Sequence, residues 1–206
     1  MKIRFIALIL VVQLAICSAG CLSPAPAAPV PQTPLPVTTP VPESTSATVT
    51  PGSMALQLTD VPSDYLLKDR TVIAYSEVSP LAHDLGWRQG YTVRFYRMNR
   101  EKDDLTGISQ SISVYPPENI GKVYALETEG ILSGLNGSTR YEIPFPIIGD
   151  KSIAFREIRA GDSQDFAVYT VIFKKKNVFE TITMGGTSTD YETLKDVVQK
   201  AADRIQ

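Results

Sequence analysis

Apolar and polar side chains alternate along several stretches of this chain, which is the pattern of half-buried β-strands. The clearest stretch is Tyr91–Arg97, where Tyr91 and Phe95 are expected to face the core and Tyr96 the opposite side of the sheet. Alternation and β-favouring composition predict further strands at 65–75, 108–115, 152–158, 166–174 and 178–184. The last two form a predicted hairpin around Lys175–Asn177, because Asn tolerates the left-handed conformation of a tight turn.

Two longer segments have helical periodicity instead. In the C-terminal helix, Thr189 and Glu192 have the spacing of a capping box. One apolar stripe follows, formed by Tyr191, Leu194, Val198, Ala201, Ala202 and Ile205. The segment Ile120–Leu132 predicts a second helix, and Ser79–Leu85 a short helical turn. These elements predict an α+β fold, a two-layer sandwich of a mostly antiparallel sheet with two covering helices.

The N-terminal segment has the three parts of a secretory signal. Lys2 and Arg4 form the basic start, residues 5–16 are apolar apart from Gln13, and small residues follow at 18–20. The tetrapeptide Ser18-Ala19-Gly20-Cys21 resembles the lipobox of a prokaryotic lipoprotein, and it departs from that family at Ser18, where a branched apolar residue is usual. The resemblance implies cleavage before Cys21 and lipidation of Cys21. A retained signal anchor and simple cleavage with release are the alternatives, and all three export the chain.

A proline-rich tether separates this signal from the folded part. Nine of the 15 prolines lie between residues 22 and 52, where Glu43 is the only charge. Such a segment has no periodic apolar face with which to offset the entropy of ordering, and it favours extended polyproline II geometry. The predicted organisation is a signal segment at 1–20, a disordered tether at 21–53 and one globular domain at 54–206.

Composition narrows the chemistry of that domain. Both cysteines, Cys17 and Cys21, lie in the targeting segment, so the domain has no thiol for catalysis, for disulfides or for a Cys/His zinc site. Removing Lys2 and Arg4 takes the net charge from −2 to −4. This mild acidity argues against nucleic-acid binding, which requires clustered Lys and Arg. No metal or other cofactor is predicted.

The order of elements resembles the Mog1/PsbP-like superfamily of α/β sandwiches, especially its exported prokaryotic lipoproteins. The resembling stretches are 86–91, 148–156, 169–178 and the C-terminal helix. The resemblance implies a non-catalytic binding, assembly or cell-surface module, and it implies no catalytic residues. Within it, Gly149 is expected to supply a positive φ and Asp150 to cap the turn.

Few residues stand out as candidates for catalysis. His83 is the only histidine, and no Gly-x-Ser-x-Gly motif accompanies it, so a surface histidine is the favoured interpretation. Glu101, Asp103 and Asp104 form an acidic cluster that lacks the spacing of a calcium loop and predicts a solvated hairpin. A carboxylate-dependent hydrolase using Asp150 or residues of this cluster is kept as an alternative.

Three further features complete the candidate sites. Asn136-Gly137-Ser138 is an N-glycosylation sequon. A groove between sheet and helix, with Trp87 or Tyr96 at its edge, is the predicted binding surface, and Gly185-Gly186 is predicted as a strand-to-helix turn.

These observations predict a membrane-tethered, extracytoplasmic, non-enzymatic module on the outer face of the membrane. Its partners are the membrane, through lipid on Cys21 or a retained anchor, and a ligand, surface polymer or protein. A signal-anchored structural surface protein is a further alternative.

Overall fold

A computed structural model describes residues 50–99, 104–133, 140–159 and 166–206, which belong to one compact unit, Thr45–Gln206. The helices and strands are α1 (Pro51–Met54), β1 (Leu66–Ile73), α2 (Pro80–Asp84), β2 (Gln89–Asn99), β3 (Asp104–Val114), α3 (Ile120–Ser133), β4 (Arg140–Ile143), β5 (Lys151–Arg159), β6 (Phe166–Lys175), β7 (Val178–Gly186) and α4 (Tyr191–Asp203). The predicted lipidation site Cys21, the sequon at Asn136 and the carboxylates Glu101 and Asp103 lie outside the described residues.

The seven strands form one sheet in the order β1-β2-β3-β7-β6-β5-β4, and every neighbouring pair is antiparallel. The predicted α+β sandwich of an antiparallel sheet with covering helices is confirmed. Strand β4 was not predicted, because four residues are too few to show alternation.

Helix α4 covers one side of the sheet, which we call the α4 face. Leu194, Val197, Val198 and Ala201 are fully buried there. They pack against alternate residues of the central strands, namely Val93, Phe95, Ile108, Ile112, Val171, Phe173, Ile182 and Met184. Asp190 is the N-cap, accepting the Thr193 N–H at 2.8 Å. The predicted capping box at Thr189 and Glu192 is therefore wrong, because the helix begins one residue later.

Helix α3 lies on the opposite side, which we call the α3 face. Ile120, Val123 and Tyr124 are buried in its first turns. They belong to a second apolar cluster with Trp87, Tyr115, Phe155, Ile172 and Phe179. The later part of the helix is less covered, since Leu126 and Leu132 are exposed. Each face of the sheet thus carries one long helix, so the sandwich has three layers and not the predicted two.

Several local predictions need correction. The folded region begins before residue 54, since Pro51 and Met54 of α1 are both buried. In the β6–β7 turn Lys176, and not Asn177, has positive φ, at 54°. Gly185 and Gly186 pair within β7 instead of following it.

Candidate binding groove

An open groove of about 680 Å³ lies on the α3 face, at the sheet end where β2 leads into β3. Its floor comes from the two central strands, where Gly107 of β3 pairs directly with Gly185 of β7 and Ser109 pairs with Thr183. These residues alternate with buried ones such as Ile108 and Met184, so they point away from the α4 core. Small side chains on two adjacent strands leave a trough along the sheet.

The two glycines create the depth of this trough. A Cβ atom at Gly107 would meet only the Phe95 carbonyl oxygen, at 3.6 Å, so a larger side chain would extend into open space. A Cβ atom at Gly185 would lie 3.6 Å from the Phe166 ring, which is ordinary contact. Neither position needs glycine for backbone conformation, since both have ordinary φ. Their lack of a side chain instead leaves the floor low.

Aromatic side chains stand on both sides of the floor. Tyr96 of β2 is paired with Gly107, and Phe166 opens β6 on the far side of β7. Strands β2 and β6 are three spacings apart, about 14 Å between backbones. Leu67 and Leu105 complete the apolar wall near the hairpin end. The sides of the groove are therefore apolar, and its base is formed by small residues.

A β-bulge adds positive charge to the rim. The β1–β2 register shifts between Leu67 and Asp69, which re-aims the intervening Lys68 so that it lines the groove. Lys68 is exposed and has no acidic partner among the described residues. Arg94 also lines the groove, and its Nε lies 3.2 Å from Asp69 Oδ1.

The two candidate groove residues, Trp87 and Tyr96, lie at different places on the sheet. Tyr96 lines the groove, whereas Trp87 lies near the opposite end of β2, is only 7% exposed and donates from Nε1 to Ser113 Oγ at 3.3 Å. Its ring packs so closely over Gly90 that a Cβ there would be 2.8 Å away. Trp87 is mainly a core residue that borders a separate depression of about 500 Å³, so of the two candidates Tyr96 is the one that lines the groove.

His83 makes contacts that stabilise the local fold around α2. Its Nε2 lies 2.9 Å from the Tyr75 carbonyl oxygen, and its ring stacks on the Tyr75 ring with centroids 3.9 Å apart. These contacts fix α2 against the preceding 3₁₀ turn, Tyr75–Glu77. No serine hydroxyl is hydrogen-bonded to this imidazole among the described residues.

Asp104 and Asp150, the candidate carboxylates within the described residues, make hydrogen bonds at a strand end and at a turn. Asp104 Oδ1 accepts a hydrogen bond from Thr187 at 2.7 Å, and this bond lowers the pKa of the Asp104 carboxyl below its ordinary value. Asp150 accepts the Lys176 N–H at 2.9 Å, as its predicted capping role requires. Gly149 has the expected positive φ, 64°.

Asp104 and Asp150 lie at opposite ends of the sheet. Asp104 begins β3, which starts beside the end of β7, whereas Asp150 precedes β5, which starts beside the end of β6. Strands of this length separate such positions by roughly 25 Å. A glycosidase pair requires about 5–10 Å, so these two residues do not form one. Among the described residues, no group of three or more His, Cys, Asp or Glu side chains is placed to hold a metal ion.

A buried polar pair on the α4 face was not predicted from the sequence. Gln110 Nε2 donates to Glu180 Oε2 at 2.8 Å, and Gln110 Oε1 accepts the Leu56 N–H at 2.8 Å. Both side chains are fully buried, and Glu180 Oε1 has no hydrogen-bond partner among the described residues. Burial raises the pKa of Glu180 to about 8. A signal was present, because Glu180 shares the parity of Val178, Ile182 and Met184.

Comparisons with known proteins identify a fold and no family. The sequence matches no protein-family model and no curated protein. Among solved structures, the chain is similar to the extracellular domain of PknH from Mycobacterium tuberculosis, with a TM-score of 0.54 and 8% identity. The match covers 74% of this chain and 93% of that one. At this identity it supports the sheet-and-helix architecture alone.

No helix within the described ranges is long and apolar enough to cross a membrane.

Proposed function

We propose that this chain is a membrane-tethered, extracytoplasmic binding module without enzymatic activity, and that its ligand occupies the groove over Gly107 and Gly185. The observation that carries the proposal is the groove itself: a trough with a glycine floor and aromatic walls, about 680 Å³ in volume. This volume lies within the range of roughly 300–1,000 Å³ that small-molecule sites occupy.

The composition of the groove favours binding over catalysis. Its lining contains no His, Cys, Asp or Glu among the described residues. Ser109 is the lining serine, and His83, the only histidine, belongs to α2 near the opposite end of β2. A hydroxyl without a nearby base is a weak nucleophile and a serviceable hydrogen-bond partner.

The N-terminal residues support the location. A basic start, an apolar run and the Ser18–Cys21 tetrapeptide favour export and lipidation at Cys21, and the proline-rich tether supplies reach. PknH provides a related architecture in an extracellular domain. The resemblance to Mog1/PsbP-like lipoproteins favours the same location and a non-catalytic role.

A neutral hydrophobic dye tests the groove. N-phenyl-naphthylamine fluoresces strongly when it enters an apolar site, and the titration uses the full-length chain carrying Cys21→Ala, so that no lipid on Cys21 competes. In this background, Gly107→Leu should weaken dye binding at least tenfold, because the new side chain fills the trough. Gly130→Leu is the matched control, since a Cβ there meets nothing within 4 Å on exposed α3.

Equal dye binding by Gly107→Leu and Gly130→Leu would contradict the groove as the site. A chain that binds no dye in any form would favour the structural surface role over ligand binding. Far-UV and near-UV circular dichroism establish that each variant is folded before titration.

A further inference from the structure

The rim of the groove is unusually apolar for a protein surface. Leu66 and Met98 are each 55% exposed, Leu105 is 51% exposed and Leu67 is 42% exposed. Leu66 pairs with Tyr96 and Met98 pairs with Leu105, so these side chains lie at the same sheet end as the groove. Several exposed apolar side chains at one end of a sheet are typical of an interaction site.

The rim is also asymmetric in charge. Lys68 and Arg94 both line the groove on the β1–β2 side, and Asp69 compensates Arg94 alone. No acidic side chain lines the groove among the described residues. One positive charge therefore remains uncompensated at the edge of an apolar trough. Apolar walls with a cation at one edge complement a molecule that has an apolar body and an anionic end.

We propose, on the basis of the binding function above, that the groove takes a free anionic amphiphile with one unbranched hydrocarbon chain. The chain lies along the Gly107–Gly185 floor between Tyr96 and Phe166, and the carboxylate or phosphate head meets Lys68. A free amphiphile suits the groove better than a bilayer surface, because its hydrocarbon chain can lie along the floor between the two aromatic walls.

Two features of the ligand follow. Each added methylene of the chain is worth about fourfold in affinity when fully buried, so a partly covered chain should gain about two- to fourfold per methylene. The head group binds through an exposed cation, so reversing the charge of the head group should lower the affinity about five- to tenfold.

The experiment measures binding of decanoate, dodecanoate and tetradecanoate to the full-length Cys21→Ala chain by calorimetry below their micellar concentrations. Dodecyltrimethylammonium at the same chain length tests the sign of the head charge. We expect affinity to rise along the carboxylate series and dodecanoate to bind at least fivefold more tightly than the cationic amphiphile.

Lys68→Glu should lower dodecanoate affinity about five- to tenfold, and it should lower the affinity for the neutral dye by a smaller factor, because the dye carries no charge for Lys68 to meet. Lys122→Glu on exposed α3 makes the same change in net charge away from the groove, so it should change neither. If Lys68→Glu and Lys122→Glu behave alike, or if both amphiphiles bind equally, the anionic specificity is wrong while dye binding still upholds the groove. If neither the dye nor any carboxylate binds, the proposed function fails as well.

A final measurement distinguishes a free amphiphile from a membrane surface as the source of the anion. Vesicles of phosphatidylglycerol present the same phosphate chemistry in a bilayer, and co-sedimentation with them measures surface binding. We expect the full-length Cys21→Ala chain to co-sediment to the same extent with and without Lys68→Glu. Lys68-dependent co-sedimentation without binding of free carboxylates would replace the free amphiphile with a membrane surface.

Discussion

Glu180 makes the stability of this domain dependent on pH in a direction opposite to that of most carboxylates. Its side chain is fully buried on the α4 face, between Ile112 of β3 and Phe173 of β6 in the sheet register. Desolvation raises its pKa to about 8 from an ordinary value of 4.5, while the hydrogen bond from Gln110 and the charge of Lys175 act in the lowering direction. The carboxyl is therefore protonated in the folded protein at neutral pH.

The sign of the effect follows from the two pKa values. Below pH 4.5 the carboxyl is protonated in both folded and unfolded chains, so its ionisation does not affect stability. Between pH 4.5 and about 8 the unfolded chain ionises and the folded chain does not, so the free energy of unfolding falls as pH rises. A difference of about 3.5 pKa units corresponds to about 5 kcal/mol, at 1.36 kcal/mol per unit, and the loss levels off above pH 8.

Glu180→Gln removes this dependence with little change in shape. The amide oxygen can still accept from Gln110 Nε2, and the amide nitrogen takes the place of an oxygen that has no partner. We expect the variant and the wild type to have similar stability near pH 4.5. The variant should then become more stable than the wild type by several kcal/mol at pH 8.

Urea denaturation at half-unit steps from pH 4.5 to 9 measures the difference between the two stability curves, which cancels the contributions of all other groups. Glu129→Gln, at an exposed position of α3, is the control and should shift stability by less than about 0.5 kcal/mol at every pH. A wild-type-minus-variant difference that stays constant from pH 5 to 8 would show that Glu180 is not held as a buried, protonated carboxyl.

Three further predictions concern packing, capping and the anchor. Leu194→Ala should lower the free energy of unfolding by about 2–5 kcal/mol in urea melts, because Leu194 is fully buried between α4 and the sheet. A loss under about 1 kcal/mol would show that the helix is loosely packed. Asp190→Ala should cost about 0.5–2 kcal/mol through loss of the N-cap, whereas Thr189→Ala should cost less in the same melts. Cys21→Ala should move the chain out of the membrane fraction or leave an unprocessed precursor, and intact-mass analysis of the wild type should show a lipid on a terminus beginning at Cys21. A wild-type chain starting at Met1 would instead establish the signal anchor.

Much of the fold was predictable because one face of the sheet is strongly apolar. Residues such as Phe95, Ile112 and Ile182 recur at alternate positions and are all buried on the α4 face. This alternation is a local property, so single strands can be recognised without their partners. The stripe of α4 was visible for the same reason.

The groove was less accessible to sequence analysis. Gly107 and Gly185 are far apart in the chain, and only the β3–β7 register shows that they face each other. Lys68 reaches the rim because of a bulge, which no local pattern indicates. Tyr96 was correctly placed on the face opposite Phe95, but the sequence did not decide between Trp87 and Tyr96 as the groove residue, because aromatic character alone does not separate a core side chain from a surface one.

The hydrogen bond from Leu56 to Gln110 has a mechanical consequence for a chain held at its N-terminus. Tension transmitted through the residues before Thr50 would reach α1 and then Leu56, which is completely buried and bonded to the middle of the sheet through Gln110. Unfolding of this segment under tension would withdraw Met54, Ala55 and Leu56 from the core. It would also leave the Gln110 amide oxygen without its hydrogen-bond donor, the Leu56 N–H. In a chain tethered at its N-terminus, a pull would therefore load the buried residues 54–56 before it reached β1 at the sheet edge.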